Sequence, residues 1–298
     1  MNLSQKFPMA LIGAVATMAI AQPTAVFAIS AKVPSITVAA EPKAEDFLIQ
    51  GEEKYRKGDR QGAIEAFSRA IELDPNYVEA YYNRGTVRYV LIDYKGAIAD
   101  FNEVLRINPN FFQAYVGRGK ARDDSGDSQG AIADYNEAVR INPSDSKAYY
   151  NRGLARYRLG DNKGAIADYN EALRINPNYA KAYVNRGVAR DGSGDSQGAI
   201  ADYNEAVRIN PSDSKAYYNR GVTRSRLGDS QGAIADYNEA LRINPNYAKA
   251  YNVRGYARAE LGDKQGAIQD FQKAADLFQK QRDRDNYNRA INNLNELQ

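Results

Sequence analysis

The side chains that could do chemistry in this sequence are carboxylates, amides, amines, guanidinium groups and hydroxyls, because the chain has no histidine and no cysteine. This composition excludes cysteine nucleophiles, thiolate or imidazole metal sites and Ser-His-Asp triads. With 40 Lys and Arg against 37 Asp and Glu, the net charge of +3 falls well short of the basic excess of nucleic-acid-binding proteins. We therefore expect no metal, no cofactor and no nucleic-acid partner.

Amide, amine and phenol side chains recur at multiples of 34 residues along the chain. They are Asn83, Asn151, Asn185 and Asn219; Lys147, Lys181, Lys215 and Lys249; Tyr82, Tyr150 and Tyr218; and Tyr89 and Tyr157. An amide can both donate to and accept from the backbone of an extended peptide, whatever the sequence of that peptide. A tyrosine buries a large face with little loss of side-chain entropy. These residues are our candidates for a binding site, and the elements that carry them decide whether they lie together.

The same period governs the residues that shape the backbone. Asn-Pro or Asp-Pro recurs at a fixed step of 34 residues, at Pro75, Pro109, Pro143, Pro177, Pro211 and Pro245. Within residues 78–111, an apolar stripe begins at Tyr81, and Asp93 then offers a helix N-cap. A second stripe follows and ends at Asn108-Pro109, because proline disfavours helix in the residue before it. Each unit is therefore predicted to be two antiparallel helices, and the repetition predicts an all-α solenoid.

The predicted boundaries follow from this period. Seven units are expected, at 44–77, 78–111, 112–145, 146–179, 180–213, 214–247 and 248–281, numbered here as units 1 to 7. Unit 7 has Gln279 where the other units have proline, so its second helix is expected to run on toward Arg282. Residues 282–298 are predicted to form a C-terminal capping helix, which keeps the open face of unit 7 from water.

The spacing resembles that of the tetratricopeptide repeat family. With Val78 as position 1 of unit 2, the family's aromatic position 4 holds Tyr81, Tyr115, Tyr149, Tyr183, Tyr217 and Tyr251, and position 8 holds glycine in every unit. Position 20 is always alanine and position 24 is always Phe or Tyr. The resemblance implies a right-handed superhelix whose first helices line a concave groove with positions 2, 5, 6, 9, 12 and 13. All the candidate residues occupy those positions.

The resemblance also implies a non-enzymatic module that binds extended polypeptide in this groove, as an assembly or scaffolding factor. Position 6 is similar to the asparagine ladder of some members, although Gly117 and Val253 interrupt it. A complete clamp for a chaperone tail is not expected, since position 5 is never lysine and position 6 is never arginine. Whether the groove tyrosines bind a ligand or pack between repeats stays open, and a cell-envelope surface that binds carbohydrate through these tyrosines is the alternative function.

Arginine pairs depart from the family pattern. Positions 7 and 11 hold, for example, Arg152 and Arg156, which would repel each other on one helix. Asp168 on the second helix is the nearest acid with the same period, and we predict a structural pair between the guanidinium groups and this carboxylate. A row of free arginines that grips acidic ligands is the alternative interpretation.

A longer period lies over the short one. Units 3 and 5 agree at nearly every position, and so do units 4 and 6. Surface chemistry is therefore expected to recur at every second unit, which suits an extended partner.

The first 28 residues read as a secretory signal peptide. Lys6 precedes an apolar run of about 13 residues, which is too short for the roughly 20 needed to span a bilayer. Cleavage is expected after Ala28, and residues 29–43 would then be a flexible leader. The sequence therefore predicts export to the periplasm, a lumen or the medium, with no stable insertion in the membrane after cleavage.

Overall fold

The structure is a computed structural model that describes residues 42–297, so the predicted signal peptide and nearly all of the predicted leader lie outside the described residues. From Pro42 onward the chain forms one compact unit. Its described residues hold fifteen α-helices and no strand. The helices are α1 Ala44–Arg56, α2 Arg60–Leu73, α3 Val78–Val90, α4 Tyr94–Ile107, α5 Phe112–Asp124, α6 Ser128–Ile141, α7 Ser146–Arg158, α8 Asn162–Ile175, α9 Ala180–Gly192, α10 Ser196–Ile209, α11 Ser214–Arg226, α12 Ser230–Ile243, α13 Ala248–Glu260, α14 Lys264–Lys280 and α15 Arg284–Leu297.

The helices pack in consecutive pairs, and each pair packs on the next. This confirms the predicted all-α solenoid of seven helix pairs with a C-terminal helix. The second helix of unit 7, α14, is 17 residues long where its counterparts have 14, as the loss of proline at Gln279 predicts. Helix α15 then packs on α14 through Ala290 and Leu294, which are both buried. Within residues 42–297, no helix has the length and apolar character needed to cross a bilayer.

Aspartate caps and Asn-Pro stops set the bounds of the second helices. Asp93 accepts a hydrogen bond from the backbone N–H of Gly96 at 2.9 Å, and the cap recurs before every second helix from α2 to α14. At the other end, Asn108 is extended at φ −130°, and Pro109 follows it. The turn between the two helices needs a left-handed residue, which is glycine in six units, such as Gly160 at φ 80°. Unit 2 instead has Ile92 there, at φ 66° and 71% exposed.

The core of each unit is an aromatic ring that lies against a glycine. The ring at position 24 is buried in every unit: Phe67, Phe101, Tyr135, Tyr169, Tyr203, Tyr237 and Phe271. A Cβ placed on Gly153 would come within 2.7 Å of Cε1 of Tyr169, so glycine at position 8 lets the two helices of a unit approach. The Tyr169 hydroxyl is buried and finds no hydrogen-bond partner among the described residues.

The predicted arginine–aspartate pairs are present in units 2 to 7. In unit 4, Nη2 of Arg152 lies 2.6 Å from Oδ1 of Asp168, while Nη1 of Arg156 lies 2.8 Å from Oδ2 of the same carboxylate. Asp168 is only 2% exposed. Arg152 also donates to Oδ1 of Asn136 in the preceding unit at 2.8 Å, and its guanidinium lies 5.3 Å from the ring of Tyr149. These arginines are engaged with the fold, so the geometry favours the structural interpretation over a row of free cations.

Candidate functional site

The candidate residues line one side of the first helices, which we call the inner wall: positions 2, 5, 6, 9, 12 and 13 of α1, α3, α5, α7, α9, α11 and α13. A cavity of about 510 Å³ brings three of these helices together. Its lining includes Tyr82 and Tyr89 from α3, Val116 and Lys120 from α5, and Lys147 from α7. The inner wall is therefore continuous across units 2 to 4, and three of the predicted site residues share this cavity.

A glycine opens the cavity at position 6 of unit 3. Units 2, 4, 5 and 6 have asparagine at this position, but unit 3 has Gly117. The ring of Phe101 takes up part of the space, since a Cβ on Gly117 would lie 2.7 Å from Cζ of Phe101. Val116 beside it is half-buried, whereas its counterpart in unit 5, Val184, is buried. The interruption that the sequence showed in the asparagine row is thus a gap with aromatic walls.

The four asparagines of position 6 are all half-buried but differ in their partners. Asn83 donates to Oε1 of Glu52 at 3.3 Å, and Asn185 donates to the hydroxyl of Tyr150 at 2.8 Å. Within residues 42–297, the side-chain amides of Asn151 and Asn219 have no such hydrogen-bond partner. The row is therefore not uniform, and two of its amides keep their full capacity for a ligand.

The tyrosines of position 5 pack against other aromatic rings of their own units. The ring of Tyr150 lies 4.8 Å from that of Tyr179 and 6.0 Å from that of Tyr169, and Tyr82 and Tyr218 have matching neighbours. Burial raises the pKa of the Tyr150 hydroxyl, whereas the hydrogen bond from Asn185 lowers it by a smaller amount. These tyrosines are half-buried, so packing leaves part of each side chain accessible.

Charged residues hold the tyrosine of position 12 in unit 2. The hydroxyl of Tyr89 donates to Oδ2 of Asp124 at 2.5 Å, and the ammonium of Lys120 lies 4.8 Å from the centre of the Tyr89 ring. Asp124 in turn lies 3.5 Å from Nη1 of Arg158, which also contacts the buried Asp123. The acidic pair at 123–124 is thus bound by the Arg158 guanidinium and the Tyr89 hydroxyl, and the described residues hold no group of acids arranged for a metal ion.

Tyr157, the equivalent of Tyr89 in unit 4, is in a different position. Tyr157 is 39% exposed. The residue equivalent to Asp124, which accepts the hydrogen bond from Tyr89, is Gly192. Its ring is the most open of the predicted site tyrosines.

The lysines of position 2 are the charged row of the wall. Lys147, Lys181, Lys215 and Lys249 are all exposed, and none takes part in an ion pair within residues 42–297. Upstream, position 2 holds Glu45 and Glu79 and then Gln113. The row is therefore acidic in units 1 and 2 and basic from unit 4 to unit 7.

On the inner wall, the expected recurrence at every second unit does not hold between units 3 and 5. Units 3 and 5 differ at five positions, all on the first helix: Phe112 and Ala180, Gln113 and Lys181, Gly117 and Asn185, Lys120 and Val188, Asp124 and Gly192. Four of the five are inner-wall positions, while the second helices are identical. Our sequence analysis identified the duplication but missed that the differences are concentrated on the inner wall. A position-by-position comparison of the two units would have revealed it.

Family models match most of residues 51–281. Models described as tetratricopeptide repeat match residues 116–180, 214–247, 78–111 and 248–281, and a model described as TPR repeat matches residues 51–91 and 193–228. None of the curated proteins matches the sequence significantly.

Solved structures share the architecture. A tetratricopeptide repeat protein from Parabacteroides merdae superposes with a TM-score of 0.65 at 21% identity, over 83% of this chain and 98% of that one. MamA is 28% identical with a TM-score of 0.52, over 55% of this chain and 96% of its own. YrrB, described as a TPR protein with an unusual peptide-binding site, is 22% identical with a TM-score of 0.54, over 64% of this chain and 98% of its own.

Proposed function

Since the chain belongs to the tetratricopeptide repeat family, we propose that it is a non-enzymatic module that binds extended polypeptide along its inner wall. The wall repeats once per unit and runs along the helix pairs, which suits a long ligand rather than a compact one. We further propose that the module serves as an assembly or scaffolding factor, since seven units give room for more than one bound segment. The peptide-binding site in the description of YrrB supports the use of such a fold for this purpose.

One observation carries the proposal: Asn151 and Asn219 present half-exposed amides that the fold leaves without partners in residues 42–297. Desolvating an amide without a hydrogen bond is costly, so a ligand that covers these side chains must itself supply donors and acceptors. The backbone of an extended polypeptide supplies both at every residue. A ligand of this kind needs no particular sequence to satisfy the two amides.

The lysine row supports an acidic ligand over units 4 to 7. Packed helices lie about 8–10 Å apart, and extended chain advances about 3.3 Å per residue. Successive lysines of position 2 are therefore separated by about three residues of an extended ligand. A segment with an acidic residue at every third position would place its carboxylates opposite Lys147, Lys181, Lys215 and Lys249.

Binding to a peptide array tests the proposal, with the double variant Asn151→Ala and Asn219→Ala as the informative change. Each lost hydrogen bond is worth about 1 kcal/mol, so the double variant should bind array peptides about tenfold or more weakly while its melting temperature stays unchanged. Gln129→Ala, on the exposed side of α6, is the matched control and should bind as the wild type does. An array on which no peptide binds the wild type would refute the proposal.

The exposed ring of Tyr157 is the observation that favours a second function, the binding of carbohydrate in the cell envelope. A glycan array with Tyr157→Ala distinguishes the two functions. Binding of glycans that depends on Tyr157, or on Tyr150 and Tyr218 together, with no binding of peptides, would favour the carbohydrate surface.

The location remains part of the proposal. Residues 1–28 have the pattern of a secretory signal, so we propose that the protein acts outside the cytoplasm. N-terminal sequencing of the protein from its native host should find Ile29 as the first residue. An intact Met1 on the mature protein would contradict export by cleavage.

A further inference from the structure

The cavity at Gly117 differs from the rest of the inner wall in shape and in chemistry. Part of its lining is apolar, with the aromatic rings of Tyr82, Tyr89, Phe101 and Phe112 together with Val116. The rest is polar or charged and includes Lys120, Asn142, Asp145 and Lys147. A volume of about 510 Å³ lies within the usual range of about 300–1,000 Å³ for ligand pockets, so it has room for a whole side chain. The aromatic part of the lining favours an apolar ligand group, because burial of a large apolar side chain is worth about 1.5–3 kcal/mol.

Two ammonium groups and one carboxylate line the cavity, and the carboxylate accepts a hydrogen bond within the protein. Lys120 and Lys147 both line it, and neither has a carboxylate partner within residues 42–297. Asp145, the one acid in the lining, is the N-cap of α7 and accepts a hydrogen bond from the backbone N–H of Lys147 at 2.9 Å. The nearby Asp124 is bound by Tyr89 and Arg158. The cavity lining itself carries two ammonium groups and one carboxylate, a net positive charge that is complementary to an acidic group on the ligand.

The duplicated unit shows which residues replace the lining of this cavity elsewhere on the wall. Unit 5 is identical to unit 3 except at five positions, and four of the changed residues belong to the cavity lining: Phe112, Gln113, Gly117 and Lys120. Their counterparts are Ala180, Lys181, Asn185 and Val188. Asn185 occupies the space with an amide bound to Tyr150. The Phe112 ring, the gap at Gly117 and the Lys120 ammonium are therefore all specific to unit 3.

We propose that the cavity at Gly117 is an anchor pocket that takes one large apolar side chain of the bound polypeptide, with a neighbouring carboxylate of the same polypeptide on Lys120 and Lys147. This inference rests on the proposed function, and it adds a preference for one kind of ligand residue at one place on the wall. The asparagine amides accept any backbone, whereas a pocket in one unit accepts one kind of residue at one place. The anchor would thus set the register of the ligand along the wall.

Fluorescence anisotropy with labelled decapeptides tests the proposal. The probes carry each of the twenty amino acids at one central position, between glutamates in a serine background. We expect phenylalanine and leucine at the centre to bind about tenfold or more tightly than serine. Replacement of the glutamates by glutamine should weaken binding by a few-fold at low salt and by less at high salt.

Variants of unit 3 that adopt the residues of unit 5 link this preference to the cavity. Phe112→Ala should remove most of the difference between the phenylalanine and serine probes, and Lys120→Val should reduce the effect of the glutamates, with Lys147 as the remaining cation. Unit 5 has alanine and valine at these helical positions, Ala180 and Val188, so the variants are compatible with the fold, and thermal melts check this. Lys163→Gln, an equal loss of charge on the exposed start of α8, is the matched control and should leave both preferences intact.

The outcomes separate the two proposals. Probes that bind without any preference at the centre, or a preference that Phe112→Ala leaves unchanged, would overturn the anchor pocket while peptide binding to the wall stands. Failure of every probe to bind would remove the proposed function, and the anchor pocket with it.

Discussion

Asp168 of helix α8 accepts hydrogen bonds from Arg152 and from Arg156 of helix α7, at 2.6 Å and 2.8 Å. One buried carboxylate thus compensates two cations that are one turn apart on a single helix. The relationship recurs in six of the seven units, always between the same positions.

Asp168→Ala should destabilise the array strongly. It leaves two guanidinium groups facing each other in a partly buried place, and removal of one partner from such a network costs about 3–5 kcal/mol. Urea denaturation followed by circular dichroism measures the loss. Glu171→Ala is the control, since Glu171 forms an exposed pair with Arg174 and should change stability by less than about 1 kcal/mol. If Asp168→Ala unfolds at the same urea concentration as the wild type, the alternative interpretation, in which the arginines are free to bind acidic ligands, would be favoured.

Ile92→Gly should stabilise the protein. Ile92 has a left-handed backbone at φ 66°, which costs a β-branched residue about 1–2 kcal/mol, and its side chain is exposed, so little packing is lost. The six other turns of this type use glycine. We expect a gain of about 1 kcal/mol in the free energy of unfolding, measured by urea titration. Destabilisation by this change would show that the Ile92 side chain makes a contact worth more than the strain.

Tyr169→Phe should be neutral or stabilising, because the Tyr169 hydroxyl is buried without a partner in the described part of the chain. An unsatisfied buried hydroxyl costs about 1–3 kcal/mol, and units 1, 2 and 7 already use phenylalanine at this position. Tyr203→Phe is the contrasting variant: burial raises the pKa of the Tyr203 hydroxyl, and hydrogen bonding with Thr223 lowers it by a smaller amount. Thermal melts should therefore rank Tyr169→Phe above Tyr203→Phe. The reverse order would indicate a bound water or ion at Tyr169.

The free energy of unfolding should decrease at alkaline pH while buried tyrosines of the native state are still protonated. Burial, with smaller contributions from Tyr150 and Asp145, raises the pKa of Tyr179 to about 12 from an ordinary value of 10.0. A raised native pKa means that the stabilisation is complete below pH 10 and is lost as the pH rises from 10 to 12, because only the unfolded chain ionises in that range. Tyr179→Phe should move alkaline unfolding to higher pH and leave stability at pH 7 nearly unchanged. Absorbance of tyrosinate at 295 nm, with circular dichroism, measures both. An unchanged alkaline midpoint would show that Tyr179 does not contribute.

Local rules were enough to predict the repeat. The Asn-Pro stops, the Asp93 type of cap and the glycine–aromatic pair each act within one unit, so their spacing alone predicted the helices and the arginine–aspartate pairs. The inner wall was harder, because its properties depend on contacts between units. Nothing in the sequence around Asn185 shows that its amide reaches Tyr150 while that of Asn151 finds no such partner. The cavity was also missed, since Gly117 was noted only as a break in a row and its size depends on how Phe101 and Phe112 pack.

The bond from Arg152 to Asn136 joins unit 4 to unit 3, and the same arginine-to-asparagine bond joins units 2 and 3, 4 and 5, 5 and 6, and 6 and 7. Since the junctions are chemically alike, the fold does not dictate how many units the chain must contain. A copied pair of units can be inserted in frame, because the arginine and the asparagine at each new junction can form the same hydrogen bond. Gene duplication could therefore lengthen the protein without a loss of fit, and later changes on the inner wall, such as the five that separate units 3 and 5, could give the added length a recognition preference of its own.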